Sequence, residues 1–187
     1  MSRHISFGRM GRQFINAFGL AGAVFSSVAM AQPSLSAADS AAKAATPTPF
    51  SEERNAAVGF VATQTYFVGR MASVCQPLLG QAETFPADLV AKWRTANMPY
   101  VRATTAYLAD LLKSFPDPQA GKSLLARLNA SVQAKGQAAV SEAMAGADED
   151  RKTACMKFVI QFAEGRFHVS DQGPFFITLR GLVNDYR

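Results

Sequence analysis

Two cysteines, Cys75 and Cys155, are the residues of this chain best placed by type to make a covalent bond, and 80 positions separate them. Each lies on or beside a run of apolar residues spaced by three or four: Met71, Val74, Cys75 and Leu78 in one case, Cys155, Phe158, Val159 and Phe162 in the other. Packing those faces together brings the thiols within bonding reach, and in an oxidising compartment they close a disulfide. The alternative is a pair of separate buried thiols that pack as small hydrophobes. With no third cysteine, the connectivity is not in question.

Two polar stretches carry the remaining candidates. Glu164 to Gln172, EGRFHVSDQ, holds Ser170, His168 and Asp171, the residue types of a hydrolytic triad. Triads are assembled from separate segments, and neighbours in sequence seldom converge, so a polar loop with a surface histidine is the expectation here. The second stretch is Lys92-Trp93-Arg94 with Asn97, Tyr100 and Arg102, gathered around Pro99. An interrupted helix frees backbone groups, and Trp, Tyr and Arg are enriched where partners bind. At helical spacing, the competing assignment puts Trp93 and Tyr100 in the core and the arginines on the solvated face. Trp93, Arg94, Asn97, Tyr100, Arg102 and His168 are therefore the candidate partner-binding residues.

Other chemistry is missing from the sequence. Beyond the first 31 residues, His168 is the single histidine, so a zinc site would have to spend both cysteines. No C-x-x-C, H-E-x-x-H, G-x-S-x-G, Walker A or G-x-G-x-x-G pattern occurs. A bundle di-metal site needs two Glu-x-x-His pairs, which one histidine cannot supply. No metal, no cofactor and no enzymatic activity are expected.

The elements that must position these residues are helices. Phe60 to Leu79 reads as a core helix, with Phe60, Thr63, Phe67, Met71, Val74 and Leu78 on one face. Ser51 is placed to cap its start, ahead of Glu52 and Glu53, and Pro77 to end it near Gln76. A second helix opens at Thr84-Phe85-Pro86, and Pro99 either kinks it or splits it near Asn97. A third spans about 119–144, with a polar middle around Gly136. A fourth follows Asp148-Glu149-Asp150 and carries Cys155, and a short last one follows Gly173-Pro174. No period-two pattern or hairpin signal appears. The expected fold is all-α, a bundle of four to five helices with one disulfide.

The amino-terminal part reads differently. Residues 1–31 carry Arg3, Arg9 and Arg12 with no acid, an apolar run from Phe14 to Val28, and Ala29-Met30-Ala31 before Gln32, the layout of an export signal cleaved between Ala31 and Gln32. The run is short and diluted for a membrane anchor, and a mitochondrial transit peptide is the main rival. Residues 32–49, rich in Ala, Ser, Thr and Pro, are expected to be a flexible tether, leaving 50–187 as a single helical domain. Taking the three leader arginines from 19 Lys+Arg leaves 16 against 14 Asp+Glu, a net charge of +2. That is too little, and too scattered, for nucleic-acid binding.

The expectation is a small exported, periplasmic or secreted protein that works by binding another protein in the cell envelope, as an inhibitor, an immunity-type protein or an adaptor. No membrane span is expected after cleavage. A carrier of a small apolar ligand is the alternative, because phenylalanine is abundant at 14 residues.

Overall fold

The structure is a computed structural model that describes residues 50–187. The leader, its cleavage point at Ala31 and Gln32, and the tether over 32–49 lie outside the described residues. Six helices follow one another: α1 (Glu52–Leu78), α2 (Phe85–Ala96), α3 (Met98–Lys113), α4 (Pro118–Ala143), α5 (Asp148–Ala163) and α6 (Phe176–Asp185). Among the described residues there is no strand. Among the described residues the fold is all-α, as expected, with six helices rather than four to five. Asn97 separates two helices where the sequence left open a kink, and Pro99 sits in the first turn of α3, where its missing N–H is not needed.

The helix ends follow local chemistry. Ser51 Oγ accepts a hydrogen bond from the Arg54 N–H at 3.2 Å, and Asp117 Oδ1 accepts one from the Gln119 N–H at 2.9 Å. At α5, Asp150 Oδ2 accepts from the Ala147 N–H at 3.2 Å, which is half a capping box, since alanine has no side-chain oxygen to return the bond. Helix α1 runs two residues past Gln76. Pro77 forfeits one hydrogen bond, but the Leu79 N–H still reaches the Cys75 carbonyl at 2.9 Å, and Gly80 then turns away at φ +60°.

The centre of the fold is α1, which packs against all five other helices. That is why its burial is broader than one stripe. Ala57, Val58, Val61, Val68, Ala72 and Cys75 are buried alongside Phe67 and Met71, while Phe60, Val74 and Leu78 are only partly covered. Thr63, expected on the inward face, is also half-buried and turns its hydroxyl back to the Gly59 carbonyl at 2.7 Å. The face read from the sequence was too narrow and rotated, because a helix surrounded on several sides has no single inward direction.

Helix α4 lies along α1 with much of its surface in solvent. The contact depends on Gly136, over which the Tyr66 ring lies so closely that a Cβ at 136 would overlap it. Helix α5 is fixed to α1 by the Cys75–Cys155 disulfide, with both cysteines fully buried, Cα atoms 5.3 Å apart, and the Met144 sulfur 4.0 Å from Cys155 Sγ. Helix α6 packs on α3 and on α1. Phe175 flanks its start, with a φ of +61° that is costly for a residue with a side chain and is held by its ring against Phe60 at 5.9 Å. Arg54 pairs with Asp185 at 2.7 Å, and Thr178 donates to Glu53, so both ends of α6 are tied to the start of α1.

Candidate functional site

The two polar stretches singled out in the sequence meet in the fold. Trp93, on α2, is fully buried, and its indole Nε1–H donates to the Phe167 carbonyl at 2.9 Å. Asn97, at the α2–α3 junction, is 1% exposed. Its Nδ2 donates to the Trp93 carbonyl at 2.8 Å, and its Oδ1 accepts from the Val169 N–H at 2.8 Å. The buried amide thus satisfies a loop N–H, which burial would otherwise make costly, and adds a second bond to a helix-end carbonyl that also accepts the Asn97 backbone N–H at 3.0 Å. From the other side, Phe167 packs on Phe67 at 5.8 Å and on Phe158 at 5.4 Å. The segment 164–172 is gripped on both flanks of His168.

Between those two anchors, His168 itself is exposed, as are Ser170 and Asp171. Its backbone N–H bonds to the Gly165 carbonyl at 2.9 Å, and no hydrogen bond or ion pair joins the His168, Ser170 and Asp171 side chains. Their residue types are those of a hydrolytic triad, but their geometry is that of a polar loop. Among the described residues no group of three or more His, Cys, Asp or Glu is placed to hold a metal ion. Among the described residues no helix is long and apolar enough to cross a membrane.

The six candidate partner-binding residues divide by exposure. Trp93 and Asn97 face the interior and hold the junction together; neither has surface to offer in this conformation. Arg94, Arg102 and His168 are exposed, and Tyr100 is half-buried against the core. Two grooves flank the junction. One, shallow and about 490 Å³, runs between α1 and α2 over small side chains including Gly69, Ser73, Ala87 and Ala91, with Arg94 at its edge. The other, about 440 Å³, lies between the start of α3 and the end of α6, lined by Met98, Pro99, Arg102, Val183, Tyr186 and Arg187. No phenylalanine lines either groove, and one methionine, Met98, lines the second.

Of the α3–α6 groove, sequence reasoning had picked out Arg102 and the interruption at Pro99. Val183 and Tyr186 stand in the sequence as apolar residues near its end, with no motif about them. Nothing in the local pattern says that α6 returns to α3; that follows from the way both helices pack on α1. Tyr186 is set as a wall of the groove by its edge-on contact with Tyr107, ring centroids 6.3 Å apart. Burial, then the nearby Asp110 charge, raises the Tyr186 hydroxyl above its ordinary 10.0 against the opposing pull of Arg54, so the wall is neutral at physiological pH. No family model, no curated protein and no solved structure matches this chain.

Proposed function

We propose that the protein is an exported, non-enzymatic binding protein that docks a protein partner in the cell envelope through the face around the α2–α3 junction. The observation that supports it most is the α3–α6 groove, where apolar walls and two arginines come together on a rigid scaffold. Rigidity has a local cause: Asn97 and Trp93 lock the junction from beneath, and the disulfide holds α5 to the central helix. A surface fixed in this way loses little conformational entropy when a partner arrives. The role of inhibitor, immunity-type protein or adaptor fits such a surface, and export fits a disulfide-bonded chain with an amino-terminal leader pattern.

The test is affinity capture from envelope extract with the mature chain and with Met98→Glu, which places a charge in the groove without disturbing the core cluster. A partner retained by the native chain and lost with Met98→Glu, at unchanged thermal unfolding, is the expected result. Equal retention by both would move the docking surface elsewhere.

A further inference from the structure

We infer that the α3–α6 groove receives an apolar segment of the partner protein that carries carboxylates, an inference that rests on the docking function proposed above. The walls come from Met98, Pro99, Val183 and Tyr186, and the charged groups are the guanidiniums of Arg102 and Arg187. A concavity of about 440 Å³ is large enough for several side chains, so a peptide segment fits it better than a single ion does.

The charge balance around the groove is uneven. Asp185, at the end of α6, is taken by Arg54 at 2.7 Å, and Asp110 of α3 by Lys113 at 3.0 Å. Among the described residues no carboxylate lies within ion-pairing distance of Arg102 or Arg187. The carboxyl end of α2 meets the amino end of α3 at Asn97, so the two helix dipoles oppose each other there and the positive charge of the groove rests on the arginines. Arg187 follows the carboxyl end of α6, whose dipole answers part of its charge, which leaves Arg102 the less compensated of the two. An arginine lining an apolar groove favours a carboxylate, which it can bind through two parallel hydrogen bonds. Arg102 and Arg187 both line a concavity, which favours a protein segment over an anionic bilayer.

Incorporating a benzoylphenylalanine photo-cross-linker at the exposed Pro99 of the full chain, followed by mass spectrometry of the cross-linked peptide, tests this. The expected segment is apolar with two or more Asp or Glu close to the cross-link. Capture should fall about fivefold or more with Arg102→Glu, less with Arg102→Gln, and return when the facing acid of the partner is changed to Lys. A neutral or basic segment, capture indifferent to Arg102→Glu in a folded variant, or a cross-link to phospholipid would each overturn the inference. A partner retained by affinity capture but never cross-linked from position 99 would overturn it while leaving the docking function standing. Absence of any partner by either method would remove the docking function and the inference together.

Discussion

Asn97 is one buried amide that fastens three pieces of chain, and its removal should be felt well beyond its size. Asn97→Ala strands the Val169 N–H and weakens the end of α2, so a loss of about 2 kcal/mol is expected by urea unfolding. His168→Ala, two residues along the chain from Arg166 and exposed, should stay within about 0.5 kcal/mol. Equal losses for the two would mean that the loop is not held from beneath. Tyr107 gives a second residue-scale prediction. Its fully buried hydroxyl donates to Asn55 Oδ1 at 2.9 Å, and burial raises it above the ordinary 10.0, with the Ser51 backbone and Arg54 pulling the other way. The folded chain therefore favours the neutral form. Its contribution to stability is whole below pH 10 and is lost as pH climbs through the raised folded value. Tyr107→Phe should cost about 1 kcal/mol at neutral pH and should flatten the alkaline decline. A decline equally steep in the variant would assign it to other groups.

At the scale of elements, α1 is joined to its neighbours in chemically different ways. The link to α5 is covalent. Closing so long a loop is worth up to about 4.5 kcal/mol in the chain-entropy account. Cys75→Ala, Cys155→Ala and the double variant should lose nearly the same stability, because either single change abolishes the bond. Additive losses would show two independent core thiols. The link to α4 is steric. Gly136→Ala would ordinarily gain up to about 1 kcal/mol in a helix, but here the new methyl meets the Tyr66 ring. A net loss of stability is expected, turning into a gain in a Tyr66→Ala background. A gain in both backgrounds would mean that the α1–α4 contact relaxes freely. Gly136 was visible in the sequence only as a weak point of a polar stretch, since a glycine that admits a neighbour's ring looks the same as one that merely weakens a helix.

For the whole molecule, the expectation that remains most exposed to test is export. Amino-terminal sequencing of the protein from a periplasmic fraction should read from Gln32, after Ala31. Intact Met1 recovered from the cytosol would remove the oxidising compartment on which the docking proposal and the Cys75–Cys155 bond in the cell both lean. The described part is consistent in its own terms, with one central helix, five packed around it and the buried polar side chains of Asn97 and Thr104 both hydrogen-bonded.

The sequence by itself determined the all-α class, most helix starts and the partner of each cysteine. Those depend on signals a few residues long: the Ser51 and Asp117 caps, the acids opening α5, the three-and-four spacing around Cys75 and Cys155, and the absence of any third cysteine. Tertiary structure decided whether Pro99 kinks or starts a helix, because a proline in a first turn and one at a kink share the same local sequence. It also decided that the face of α1 read from the spacing was too narrow, since burial from five directions has no single period to show. The grip of Trp93 and Asn97 on Phe167 and Val169 spans more than 70 positions and is made to backbone atoms, which every residue possesses, so no side-chain pattern could announce it. The α3–α6 groove has the same origin: Arg102 and Val183 become neighbours only after both helices have docked on α1.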